Sequence, residues 1–231
     1  MRNVFKLILL CAFFAFLSNF SKAGWNQVSL GYVLRTTNSG NYWKSVARIN
    51  HELYKIQFIN DEIGFAVGGN GAIYRSVNRG YSWVYVNSRS SENLYNLFFT
   101  SIDEGVYIGA NGISGYTTNS GGIWNLVNTG VSTDLYGIDF IDEYIGYACG
   151  DNGVILKTTN KGQSWSQLSS GTSEDLRAVC FTDVNTGYVV GEYGMMLKTT
   201  DAGSSWNTLT TGTTEDLLGI DFTSNTNLGY A

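Results

Sequence analysis

The chain has 231 residues, 43% of them hydrophobic and 14% charged, with 28 glycines and no proline. That length and apolar content suit one large packed domain and exclude a disordered chain, and glycine and Asx residues must make the turns. A formal net charge of −5 argues against nucleic acid or an anionic membrane surface as a partner.

The first 23 residues read as a secretory signal peptide. Arg2 and Lys6 supply the positive start, residues 7–17 are an apolar run, and Ser21-Lys22-Ala23 places small residues at a cleavage site after Ala23. The run is too short for a membrane anchor, so no membrane insertion is expected after cleavage. Cys11 lies within the run. Removing Arg2, Lys6 and Lys22 from the 14 basic residues leaves 11 against 19 acidic ones, a net charge of −8 for residues 24–231. The expected location is secreted or periplasmic. Cys149 and Cys180 remain, at different repeat positions; export permits a disulfide, and their apolar flanks suit two buried thiols.

After the leader, Trp25-Asn26-Gln27-Val28 resembles the start of a unit's final strand, and residues 31–35 match residues 71–75, 153–157 and 194–198. An eight-residue box, [TS]-[TV]-[ND]-x-G-x-x-W, then occurs five times. Its fixed residues are Asn38, Gly40 and Trp43; Asn78, Gly80 and Trp83; Asn119, Gly121 and Trp124; Asn160, Gly162 and Trp165; Asp201, Gly203 and Trp206. The tryptophans step by 40, 41, 41 and 41 residues. A period in that range predicts a repeat architecture of one supersecondary unit per copy. Asn or Asp two residues before glycine predicts a tight turn in which the Asx side chain bonds the backbone two residues on and glycine takes positive φ. The tryptophan anchors the following strand, and Lys161, inside one box, is expected to be exposed.

The full unit is clearest from Leu135. A first strand, Leu135-Tyr136-Gly137-Ile138-Asp139-Phe140, is followed by a loop carrying acidic residues and then a second strand, Gly146-Tyr147-Ala148-Cys149-Gly150. Asp151-Asn152-Gly153 reads as a hairpin turn into a third strand, and Trp165 opens a fourth. The same order runs from Leu53, Leu94 and Leu176. Apolar residues are not confined to alternate positions, which fits strands covered on both faces. The expected fold is all-β: a β-propeller of about five four-stranded antiparallel blades over residues 24–231. The last unit starts at Leu217 and stops at Gly229-Tyr230-Ala231, within a second strand. Either the chain is a truncated piece of a larger ring, which is the favoured expectation, or its two last strands join residues 31–35 and 43–46 in one blade.

The combined pattern L-x-x-[IV]-x-F, G-[YF]-x-x-G and G-x-[IL]-[LY]-[KR]-T-T-[ND]-x-G-x-x-W resembles the propeller family of photosystem II stability and assembly factors. The box alone resembles the Asp-box, or bacterial neuraminidase, repeat, which sialidases, xyloglucan-degrading enzymes and sortilin-type receptors share. The resemblance covers about residues 31–230. It implies a seven-bladed ring, against about five units here, and a non-enzymatic, chaperone-like role that binds a membrane-protein precursor.

Four groups of residues stand out for function. Arg35, Arg75, Tyr116, Lys157 and Lys198 precede the boxes and would form a ring able to dock an acidic peptide; long stems covering an apolar edge are the bland alternative. Glu52, Asn93, Asp134, Asp175 and Asp216 precede the first strands and read as turn residues, or as a cation-binding ring near one mouth. Asp139 and Asp221 share a first-strand position where other units have Gln57, Phe98 and Cys180, and are the weak candidates for a catalytic carboxylate pair. His51 is the single histidine, so neither a histidine-based triad nor a multi-histidine metal site is supported. No cofactor and no metal is expected. The expected role is a non-enzymatic scaffold that binds a protein or peptide; the alternative is a carbohydrate-active propeller, hydrolytic or sugar-binding.

Overall fold

The computed structural model describes residues 30–223 and 228–231. The expected leader over residues 1–23, with Cys11, and the strand expected from Trp25 lie outside the described residues. The rest is all-β, in consecutive antiparallel sheets.

Strands β1 (Gly31–Arg35) and β2 (Lys44–Ile49) pair as a two-stranded sheet. Four complete blades follow. Blade I is β3 (Leu53–Phe58), β4 (Gly64–Gly68), β5 (Ala72–Ser76) and β6 (Val84–Asn87). Blade II is β7 (Leu94–Phe99), β8 (Gly105–Gly109), β9 (Ile113–Thr117) and β10 (Asn125–Asn128). Blade III is β11 (Leu135–Phe140), β12 (Gly146–Gly150), β13 (Ile155–Thr158) and β14 (Ser166–Leu168). Blade IV is β15 (Leu176–Phe181), β16 (Gly187–Gly191), β17 (Met196–Thr199) and β18 (Asn207–Thr208). A last two-stranded sheet pairs β19 (Asp221–Phe222) with β20 (Gly229–Tyr230).

Within each blade the strands lie in chain order, and the first strands β3, β7, β11 and β15 neighbour one another from blade to blade. The fifth unit is divided. β19–β20 is the inner half of a blade and β1–β2 an outer half, and among the described residues no strand pairing joins them. The arc is therefore open, and the joined fifth blade is not formed.

The core lies between sheets. Phe65, Val67 and Ile73 of blade I pack on Leu94, Leu97, Phe99 and Tyr107 of blade II, and the same layering recurs between blades II and III and between III and IV. Stacked rings mark two of these layers, Phe65 on Phe99 at 4.3 Å and Tyr147 on Phe181 at 4.0 Å. This explains the lack of alternation: every residue of β8 and β12 is buried, because a neighbouring blade covers each face.

The boxes form type I′ turns. Lys161 and Gly162 both take left-handed φ, 63° and 78°, and Gln163 N–H donates back to Asn160 O at 3.2 Å. The Asx side chain, however, reaches farther than expected. Thr158 Oγ1 accepts the near N–H groups of Asn160 and Gly162, at 3.3 and 3.0 Å, so Asn160 Oδ1 is left to accept from Ser164 N–H four residues on, at 2.9 Å. The other four copies bond in the same way.

Each box tryptophan in a complete blade turns an edge toward the last phenylalanine of that blade's first strand: Trp83 toward Phe58, Trp124 toward Phe99, Trp165 toward Phe140 and Trp206 toward Phe181. Trp43 belongs to the half-blade β1–β2, which has no first strand among the described residues, and is 38% exposed. Lys161 is not free in solvent as expected. Its ammonium lies 2.8 Å from Glu104 of the preceding blade's loop and 3.2 Å from Glu143, so it ties two blades.

Candidate functional site

The hairpin turns between second and third strands share one face with the starts of the first strands. There each first strand carries a one-residue irregularity. In blade III, Leu135 pairs with Gly150 and Gly137 with Cys149, so Tyr136 is left without a partner. The same bulge isolates Tyr54, Tyr95 and Arg177 in the other complete blades. An extra residue bends its strand and re-aims its side chain.

The four re-aimed side chains meet across blade boundaries. Tyr54 and Tyr95 have ring centroids 5.5 Å apart, Tyr95 stacks on Tyr136 at 5.1 Å, and the Arg177 guanidinium lies 4.3 Å above the Tyr136 ring. Carboxylates border this ladder. Tyr54 Oη donates to Glu52 at 2.9 Å and Tyr95 Oη to Asp134 at 3.0 Å, while Tyr136 Oη donates to Asp151 at 3.3 Å. Arg177 pairs with Asp151 at 3.3 Å, with Asp175 at 3.2 Å and with Glu192.

Burial, then the hydrogen bond and charge of Glu52, push the Tyr54 phenol up to about 12. Tyr136 is likewise pushed up to about 12, by burial first and then by Asp151 and Asp134 against Arg177. Burial and the Asp175 charge raise Asp151. Burial opposes the charge of Arg177, but its bonds to Glu192 and Tyr136 outweigh that and raise its pKa. The phenols therefore remain hydrogen-bond donors at neutral pH and the guanidinium remains charged.

The residues that precede the first strands lie at this face and act as latches between blades. The Oδ1 atoms of Asn93, Asp134, Asp175 and Asp216 accept from the backbone N–H of Asn70, Asn111, Asn152 and Tyr193 in the preceding turn, at 2.8–3.1 Å. The carbonyls of Glu52, Asn93, Asp134 and Asp175 accept from the turn of their own blade. That second bond needs a very close approach: a Cβ on Gly150 would lie 1.9 Å from Asp134 O. Among the described residues no group of three or more His, Cys, Asp or Glu is arranged to hold a metal ion.

The other sequence-derived candidates lie elsewhere. Arg75, Tyr116, Lys157 and Lys198 are on third strands, opposite Phe65, Val106, Tyr147 and Tyr188. Arg35 Nε donates to Arg79 O at 2.9 Å and Lys157 Nζ to Ala202 O at 3.0 Å, each reaching the box turn of the following blade. Lys198 and Arg75 lie over the rings of Tyr188 and Phe65. The four cations of this set thus hold their charged groups over aromatic rings.

Asp139 bridges blades III and IV: its Oδ1 accepts from Phe140 N–H at 2.9 Å and its Oδ2 from Phe181 N–H at 2.7 Å. Gln57 makes the corresponding bond to Phe99 N–H at 3.0 Å. Asp221 is exposed on β19. Both carboxylates act on one thiol: Cys180 is pushed up to about 12, by burial first and then by the charges of Asp139 and Asp221. Cys149 and Cys180 are both free thiols.

A family model described as Photosynthesis system II assembly factor YCF48 matches residues 117–219, from the end of β9 to just before β19. No curated protein sequence matches the chain significantly. YCF48 from Cyanidioschyzon merolae superposes with a TM-score of 0.65 at 17% identity, covering 83% of this chain and 68% of that one. A structure of YCF48 bound to D1 peptide gives 0.60 at 20% identity, covering 75% of this chain and 58% of that one. The GH74 xyloglucanase from Xanthomonas campestris gives 0.68 at 12% identity, covering 86% of this chain and 39% of that one. The chain thus spans about three fifths of the peptide-bound YCF48 and two fifths of the xyloglucanase. The resemblance read from the repeats holds over the matched region, and the structural likeness shows the shared propeller fold.

Proposed function

We propose that this chain is a non-enzymatic propeller scaffold that docks an extended polypeptide across its turn face. The carrying observation is the Tyr54–Tyr95–Tyr136–Arg177 ladder, which brings one side chain from each of four blades into a single strip. Aromatic and arginine side chains held rigid by their neighbours are the residue types that dominate protein-binding hot spots. The YCF48 family match and the peptide-bound relative support a polypeptide as the ligand. Residues 1–23 support an exported protein, cleaved near Ala23 and working outside the cytoplasm.

The ladder is a poor platform for a sugar ring. Tyr95 is stacked on Tyr136, and Arg177 covers Tyr136 as well, so the Tyr136 ring is not free to stack on a sugar. Asp139, bound by two backbone N–H groups, is fixed as an acceptor rather than poised as a proton donor.

The test is to pan a random decapeptide library on the chain and on its Tyr54→Ser/Tyr95→Ser variant. Peptides retained by the first and lost by the second are expected. Hydrolysis of xyloglucan, β-glucan or sialosides that disappears in Asp139→Asn would overturn the reading.

A further inference from the structure

We propose that the segment docked on the turn face is cationic, an extended stretch bearing arginine or lysine, and that Tyr193 is one of its anchors. This deepens the docking reading above and rests on it.

The protein carries its own example of the recognised chemistry. Arg177 stands where the preceding blades have tyrosine, and its guanidinium is held by the Tyr136 ring and by carboxylates on two blades. The face thus binds a guanidinium with an aromatic surface beneath it and acids around it, the arrangement that suits arginine's planar fork. Arg177 answers only part of the negative charge. Among the described residues, no lysine or arginine lies within ion-pair distance of Glu52, Glu92, Asp134 or Glu174. The charge complement missing from this strip is positive, and residues 24–231 as a whole are acidic. An acidic segment would meet repulsion along the same strip.

Tyr193 points the same way from a separate observation. Blades I to III place Asn70, Asn111 and Asn152 at the first left-handed position of the turn, with φ between 53° and 57°. Asparagine tolerates that conformation. Blade IV puts Tyr193 there at φ 54°, with its side chain 68% exposed and its backbone N–H bonded to Asp216. A bulky residue in this region is strained, and an exposed ring recovers nothing from the core. Tyr193 follows Glu192, which holds Arg177, so the turn of blade IV sets a large exposed aromatic residue next to the last partner of the ladder.

The experiment measures fluorescence anisotropy of three labelled decapeptides, serine alternating with arginine, aspartate or leucine, with the whole chain. Saturable binding of the arginine peptide is expected. Glu52→Gln/Glu92→Gln/Glu174→Gln, which removes charge and keeps shape, should weaken it by about tenfold, whereas Asp61→Asn/Glu62→Gln/Asp103→Asn on the opposite, box-bearing face should change it by less than about twofold. Tyr193→Asn restores the turn residue of the other blades; it should raise the melting temperature yet weaken the arginine peptide by about threefold.

Equal losses in the two triple variants would overturn the proposal, as mere attraction to an acidic protein. An unchanged affinity in Tyr193→Asn would remove the anchor. Preference for the aspartate or leucine peptide, lost in Tyr54→Ser/Tyr95→Ser, would overturn the cationic partner while leaving the docking reading standing. No saturable binding of any of the three would sink both.

Discussion

Asn93 joins two blades through a single residue. Its Oδ1 accepts from Asn70 N–H in the turn of blade I at 3.1 Å, while its carbonyl accepts from Ala110 N–H in blade II at 2.8 Å. The side-chain bond is the part that mutation can remove. Asn93→Ala should cost about 1 kcal/mol, the usual net worth of one hydrogen bond, and Asn93→Asp should be near neutral because the acceptor remains. Urea unfolding of the two variants checks this; equal losses would show that the amide nitrogen, not the oxygen, holds the blades.

The box tryptophans should differ in energetic weight according to whether their blade is complete. Trp124 is 1% exposed, with Phe99 and Tyr107 around it. Trp124→Ala should destabilise by about 3–5 kcal/mol, as for other buried aromatics. Among the described residues Trp43 has no first-strand phenylalanine beneath it, and Trp43→Ala should cost about 1 kcal/mol. Thermal melts of both variants decide whether the anchor is the box itself or the box together with its first strand.

The ladder phenols should titrate late. Tyr54 and Tyr136 are pushed from 10.0 to about 12, in both cases mainly by burial. A folded-state pKa above the unfolded one means that the folded chain holds these protons more tightly. The associated stability is fully present below pH 10 and is lost as pH rises through about 12. Difference phenolate absorbance against Tyr54→Phe and Tyr136→Phe should place both ionisations in that upper range. Ionisation near the ordinary tyrosine value would show that the ladder is open to water.

Lys55 follows the bulge residue of blade I, and burial lowers its pKa from 10.5. No ion pair compensates it among the described residues. The unfolded chain therefore binds this proton more readily, so the folded state is penalised at neutral pH and the penalty disappears as pH rises toward 10.5. Lys55→Met should stabilise by about 1 kcal/mol at neutral pH, a typical single-site magnitude, and the advantage should shrink in alkaline buffer. A destabilised methionine variant would mean that the ammonium has a role in the native state.

The blades were legible because their units announce themselves: Trp83, Trp124, Trp165 and Trp206 each close a box, and each finds the phenylalanine of its own first strand. The ring from Glu52 to Asp216 was legible as turn chemistry, but not as a set of latches, because Asn93 bonds a turn 23 residues earlier and local patterns do not reach that far. The ladder was missed for a different reason. Tyr54, Tyr95 and Tyr136 occupy a position that a regular strand would place by simple alternation, and the bulge that lifts them from the ladder of backbone bonds leaves no mark in a period of two. The available signal was their recurrence: tyrosine after the first leucine in three successive units, then Arg177. Asp139 drew attention as a carboxylate, yet its two N–H partners belong to strands in different blades, a relation visible only once the blades are stacked.

The unpaired residue at the start of each first strand is exempt from the demands on its neighbours. The leucine before it must fill an interblade layer, and the residue after it must keep register with the second strand. The bulge residue owes nothing to either, so one unit can carry tyrosine and the next arginine on an unchanged backbone. The series Tyr54, Tyr95, Tyr136 and Arg177 then amounts to a four-letter word written along the arc, one letter per complete blade. Under the docking proposal, an exchanged letter would change what the strip recognises while the strand pairing on either side of it stays the same.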